Sequence, residues 1–288
     1  MGHDRPAAAR PRRRGPRAPR RALSVLLLTL ATAAAVAAPP QRIASLNLCT
    51  DSMLFELVDD ARIASVTALS RDPGLSPFHA RAAGLPINHG SAEELLAVEP
   101  DLVLTGTGGT RLAERLLGAL GVPVIDFEHA ASLDAYADNL RRLAGVLGVA
   151  QRADTILADL DARLDAVARP ATPGPRAMVY QPNGYVPGTR TLMHDILARA
   201  GYTDLASELG LDFGGFVALE RLVAIRPEVV IVSVRDNSAP SLAEQLLEHP
   251  ALRGSAAAAY RVLVDENLWT CAGSFSAAAI ATLARARP

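Results

Sequence analysis

The sequence predicts an α/β fold of two similar lobes, each built on a mostly parallel sheet, and three observations carry that prediction. First, a fourteen-residue pattern occurs twice, 127 positions apart: SAEELLAVEPDLVL from Ser91 and ALERLVAIRPEVVI from Ala218. Glu93/Glu220, Leu95/Leu222, Ala97/Ala224, Pro100/Pro227 and Val103/Val230 are identical, and five more positions exchange like for like. Each copy reads as a helix, a proline stop and a continuous apolar run, the pattern of a parallel strand covered on both faces. Second, apolar runs alternate with helical periodicity along the chain, as in parallel α/β sheets. Third, one long amphipathic helix sits between the two halves. Two lobes imply a cleft between them.

Taken in order, RIASL (42–46) is a strand entering the loop Asn47-Leu48-Cys49-Thr50-Asp51 and a helix to about residue 57. Residues 63–66 form a second strand. The first repeat comes next, as a helix over 92–98 and a strand over 102–105. A helix over 111–120 ends at Gly121, a C-cap glycine, and 124–127 is the next strand. The middle is helical: 133–147, ending at Gly148, then 150–168. In the latter Ala153, Ile156, Leu157, Leu160, Leu164 and Val167 form one apolar stripe. Nineteen residues at 1.5 Å each give about 28 Å, enough to brace two lobes. The Pro-Gly stretch 170–175 marks a boundary. The second lobe brings a strand at 177–180, the loop Gln181-Pro182-Asn183-Gly184-Tyr185, a helix over 191–200, the repeat strand 229–233 followed by Arg235, a strand at 260–264, the loop Trp269-Thr270-Cys271-Ala272-Gly273, and a last helix from Ser276. The organisation is a leader (1–38), an N-terminal lobe (39–131), a helical segment with the bridging helix (132–172) and a C-terminal lobe (173–288).

Eight of the 29 basic residues precede Ala22, and the apolar run 23–36 is shorter than the roughly 20 residues a membrane span needs. Ala35-Val36-Ala37 fits the A-x-A cleavage pattern, so 1–38 reads as a secretory signal peptide, with Arg20-Arg21 leaving Sec or Tat export open. Residues 39–288 carry 21 Arg and no Lys against 29 Asp plus Glu, a net −8. That balance excludes a nucleic-acid partner. Two cysteines remain, Cys49 and Cys271, in different lobes. An oxidising compartment permits a bridge, which would restrict lobe motion; two separate thiols are equally open.

These features together resemble the periplasmic substrate-binding proteins of ferric-siderophore and vitamin B12 uptake, the class III binding proteins of ABC importers. The resemblance rests on the opening RIASLNLCTD, the Glu-x6-Pro-Asp/Glu-strand unit once per lobe, the single long joining helix, and His249-Pro250-Ala251-Leu252 followed by a basic strand and the Trp269 loop. It covers residues 41–288. It implies a monomeric periplasmic receptor, not an enzyme, with no cofactor of its own. Its cargo would be an iron or cobalt chelate, ferric siderophore first and cobalamin a near second, delivered to an ABC permease dimer. It also implies that Glu93 and Glu220, one per lobe, dock on that permease, although a glutamate in a helix's first turn also serves the helix dipole.

Ligands of open α/β sheets bind beyond the carboxyl ends of the strands. Asn47, Leu48 and Cys49 therefore line one wall, and Asn183, Gly184 and Tyr185 the other. Arg71, Arg235 and Trp269 also come after strands: arginine offers charge-assisted donors to an anionic chelate, and Tyr and Trp offer flat apolar faces. Three other readings compete. A zinc or manganese receptor needs three or four converging His or carboxylate ligands, yet His79, His89, His129, His194 and His249 are scattered. A haem receptor needs only one Tyr or His as axial ligand. A nucleotide enzyme would use Gly106-Thr107-Gly108-Gly109, but Arg111 stands where the dinucleotide fingerprint requires glycine.

Overall fold

The computed structural model describes residues 1–2, 38–107, 111–167, 174–235, 247, 249 and 260–288. Residues 3–37 of the leader, the greater part of the 170–175 boundary, Gly108 and Gly109, and Pro250-Ala251-Leu252 lie outside the described residues. Residues from Pro39 to Pro288 form one compact unit.

Lobe 1 opens with β1 (Ile43–Ser45) and α1 (Leu48–Leu57). Then come β2 (Ile63–Thr67), the short α2 (His79–Ala82), β3 (Ile87–Asn88) and α3 (Ala92–Ala97). It closes with β4 (Leu102–Gly106), α4 (Arg111–Ala119) and β5 (Val124–Phe127). The strands form a parallel sheet in the order β3-β2-β1-β4-β5. Helices α5 (Leu133–Leu147) and α6 (Ala150–Asp165) come next. Lobe 2 contains β6 (Arg176–Val179), β7 (Tyr185–Pro187), α7 (Leu192–Arg199), β8 (Thr203–Asp204), β9 (Gly214–Phe216) and α8 (Leu219–Ile225). It ends with β10 (Val229–Val234), β11 (Tyr260–Asp265) and α9 (Ser276–Arg285). Its parallel sheet runs β11-β10-β6-β8, and β7 and β9 make a separate antiparallel pair.

Alternation along the strands decides what each sheet face covers. Ile43, Leu102 and Leu104 of lobe 1 and Ala177, Val179, Val229, Ile231, Val262 and Val264 of lobe 2 point into one continuous core shared by both lobes. Helices α1, α5, α6, α7 and α9 fill that core, and Ala153, Leu157 and Leu160 of α6 are buried in it. The apolar stripe expected of the bridging helix is present, but the helix has 16 residues and stops at Asp165, so it spans about 24 Å rather than 28 Å. The opposite sheet faces carry Ala44 and Val103, covered by Leu95 of α3 and Leu117 of α4, and Met178, Val230 and Val232, covered by Leu222 of α8. The two repeat helices therefore sit on equivalent outer faces. Among the described residues no helix is long and apolar enough to cross a membrane.

Candidate ligand site between the lobes

In lobe 1 the chain passes from β1 to β2 on one side and returns to β4 on the other, so the strand order reverses between β1 and β4. Ligands of open parallel sheets settle outside such a switch point. A small cavity of about 30 Å³ lies there, lined among others by Asn47, Cys49, Met53, Phe127, His129 and Tyr136, with Ala272 from lobe 2. Asn47 caps α1, its Oδ1 accepting from the Cys49 amide at 2.8 Å. Its amide lies over Gly106, where an added Cβ would come within 3.0 Å of the Asn47 side chain. The smallest residue at the end of β4 thus lets the cap reach across the switch point.

Cys49 and Cys271 form a disulfide, 222 positions apart in sequence. It joins the first turn of α1, just after β1, to the segment after β11, and so joins the carboxyl edges of the two sheets. A buried polar joint adds to it: Glu56 of α1 accepts from the Ser274 amide at 3.0 Å and from the Tyr136 hydroxyl at 2.6 Å. Burial raises the pKa of Glu56 and, with the neighbouring carboxylate, that of Tyr136. Deeper in lobe 1, Asp51 is wholly buried. One of its oxygens accepts from the Thr67 amide, the Thr67 hydroxyl and the Ser70 hydroxyl at 3.0, 2.6 and 2.7 Å. Desolvation outweighs these bonds and lifts its pKa to about 6.

Several residues expected in the cleft are placed elsewhere. Trp269 is 1 % exposed, belongs to the shared core and donates its indole N–H to Ser233 at 3.1 Å; it packs beneath the cleft and forms no wall. Leu48 is buried because the first turn of α1 directs it inward. Arg71 donates to the carbonyls of Ala82 and Leu85 at 3.2 and 2.6 Å. It staples the end of α2 and does not line the switch-point cavity. Asn183 takes the left-handed backbone, φ 60°, of a tight turn. Gly184, at φ 77°, is buried where a Cβ would stand 2.7 Å from the Val217 carbonyl; both shape the loop. Tyr185 packs edge-on against Phe216, ring centres 5.6 Å apart. Arg235 bridges the lobes through an ion pair with Asp72 at 2.6 Å. Glu93 and Glu220 are second residues of α3 and α8, on the outer faces.

Two groups of residues were not among those expected to line the cleft, although His129 is one of the scattered histidines weighed as metal ligands. His129 lies just after β5 at the cavity, its amide donating to the Thr107 hydroxyl at 3.2 Å. The residue is exposed as a whole, yet the protein around its ring lowers the pKa by desolvation. Phe213 and Phe216, 64 % and 77 % exposed, stand with Tyr185 on the β7–β9 pair, and the Arg190 guanidinium lies 4.6 Å over the Phe213 ring. His129 carried a readable signal, since it stands two residues past the carboxyl end of a strand. The two phenylalanines carry no such signal, because Phe216 ends a strand of only three residues and Phe213 stands just before it. No group of three or more His, Cys, Asp or Glu converges on a metal site among the described residues.

Two parallel sheets joined near their carboxyl edges are the architecture expected of a solute-binding protein. The sequence profile of the periplasmic binding protein family matches residues 43–265, and the chain belongs to that family. No curated protein matches. Among solved structures, a periplasmic haem-binding protein from Pseudomonas aeruginosa is similar at 26 % identity and a TM-score of 0.70, covering 86 % of this chain and 92 % of its own. An Fe3+-hydroxamate transport protein from Saccharomonospora viridis shows 20 % identity and a TM-score of 0.66, covering 86 % and 93 %. A periplasmic vitamin B12 binding protein of Vibrio cholerae shows 17 % and 0.63, covering 86 % and 96 %. The last two likenesses concern the fold alone. The family model describes periplasmic binding proteins, and these three solved structures are named for haem, Fe3+-hydroxamate and vitamin B12.

Proposed function

We propose that this chain, exported by its leader, is the periplasmic receptor of an ABC importer for haem, ahead of the ferric siderophore that the sequence alone favours and of cobalamin. The observation that carries this reading is His129. It sits at the switch-point cavity with a lowered pKa. A neutral imidazole is the form that ligates a metal, so desolvation keeps His129 ready as an axial ligand at neutral pH. The cavity of about 30 Å³ is far below the roughly 300–1,000 Å³ of a small-molecule site. Cargo therefore lies in front of it, between the lobes. The exposed rings of Phe213, Phe216 and Tyr185 suit a flat macrocycle, and an arginine at the cleft suits its propionates. The haem-binding relative at 26 % identity supports the same choice. Glu93 and Glu220, matched on the outer helices, are the docking points for the two halves of a permease.

The test is a titration of residues 39–288 with haemin, a ferric siderophore and cyanocobalamin, monitored by visible absorbance. Haemin should bind at sub-micromolar concentration, and His129→Ala should weaken it at least tenfold and shift the Soret band. Because the His129 pKa is lowered, binding should persist as pH falls through the usual histidine range and fail only below it. Binding of the siderophore without haemin overturns the haem reading and leaves the receptor class.

A further inference from the structure

We propose that Asp72 is a built-in competitor for the cleft's arginine: it holds Arg235 until the anionic edge of the cargo takes its place, so that Arg235 favours negatively charged ligands and Asp72 limits how tightly they are held. This deepens the reading above and rests on it for the class of cargo. Asp72 ends the turn after β2 in lobe 1, and Arg235 is the first residue beyond β10 in lobe 2. Both therefore stand at the carboxyl edges that face the ligand space. Arg235 Nη2 donates to Asp72 Oδ2 at 2.6 Å, and the Gly74 amide donates to Asp72 Oδ1 at 2.8 Å. The carboxylate is thus aimed by its own backbone and does not depend on the arginine for its position. The stem of Arg235 lies flat on Gly74, where an added Cβ would fall 2.4 Å from Arg235 Cγ. Beside the pair, Asn267 of lobe 2 donates to the Pro73 carbonyl at 2.8 Å. A space of about 260 Å³ opens there between Pro73, Gly74, His79, Val234, Asp265 and Asn267.

Both side chains are 34 % exposed, so water reaches the pair and its strength is that of a surface ion pair. The disulfide and the buried Glu56–Ser274 bond hold the lobes whether or not this pair forms. A weak contact at the ligand-facing edge, redundant for the fold, can exchange partners. A carboxylate or catecholate of the cargo replaces Asp72 with the same chemistry, whereas a neutral cargo gains nothing from displacing it.

Asp72→Asn preserves an acceptor for the Gly74 amide and removes the charge, so it tests the competition without dismantling the turn. It should tighten haemin binding about two- to five-fold, the population a surface ion pair withholds, and leave neutral cyanocobalamin unchanged. Arg235→Gln in the same background should abolish the gain. Unchanged or weaker haemin binding in Asp72→Asn overturns the proposal. If the wild type ignores haemin, the cargo reading fails, and the competitor is judged with an anionic ferric tris-catecholate against a neutral ferric tris-hydroxamate. Tightening for the anion alone supports it. Equal effects on both, or no binding of any anionic probe, overturn it.

Discussion

In lobe 1 the chain passes from β1 to α1 through two residues, with Asn47 capping the helix; in lobe 2 the equivalent passage from β6 to α7 takes twelve and contains β7, which pairs with β9. Around this difference the two lobes repeat one frame. Glu99 and Arg226, equivalent in the repeat, both take left-handed backbone, φ 44° and 52°, at the end of their helices. Asp101 then accepts from the Gln41 and Arg42 amides at 2.7 and 2.9 Å, and Glu228 accepts from the Arg176 amide at 2.9 Å. Arg42 reaches back to the Glu99 carbonyl at 3.0 Å and Arg176 to the Arg226 carbonyl at 3.3 Å. The repeated unit is thus a tether between the end of its helix and the start of its lobe's first strand. Function enters where the lobes part: lobe 1 offers a capped, disulfide-pinned edge, and lobe 2 an exposed aromatic surface.

The strongest blow to the comparison falls on Trp269, which covers the core end of lobe 2. Trp269→Ala should cost about 3–5 kcal/mol in urea unfolding, as for other large buried residues; a loss near zero would return the ring to the cleft wall. Next comes a device of lobe 1 alone, for among the described residues Asp51 is the fully buried carboxylate at a sheet edge. Its folded pKa of about 6 lies above its ordinary 3.8. Its contribution is therefore complete below about 3.8 and lost as pH rises through about 6, on the order of 3 kcal/mol in all. Asp51→Asn should flatten that limb in urea midpoints measured from about pH 3 to 8, and parallel profiles would place the pH dependence elsewhere. The smallest effect sharpens the repeat itself. Ser91 and Glu94 form a capping box on α3, while Ala218 gives α8 no side-chain cap. Ser91→Ala should lose about 1 kcal/mol, and Ala218→Ser with Arg221→Glu should gain up to about 1 kcal/mol. No gain in the second variant would mean that packing alone sets the start of α8.

Much of the frame was legible in the sequence because it is local: a capped helix, a proline and an apolar run need no partner to be read. The strand at 102–105, the helix over 133–147 and the α6 stripe all appear within a residue or three of expectation. The two-residue strands β3 and β8 were not legible, since a strand that short carries no period. The site was harder. Arg71 and Arg235 are alike as sequence, yet one spends its donors on carbonyls of its own lobe and the other crosses to Asp72. That choice is made by tertiary distance. Trp269 came after a strand as a wall residue would, and only the direction of its side chain decided otherwise.

The Cys49–Cys271 bridge makes most of the chain a covalent ring. Cutting any one peptide bond between those two residues yields two polypeptides but still a single molecule, its lobes held by sulfur. A nicked chain therefore stays in one piece until the disulfide is reduced.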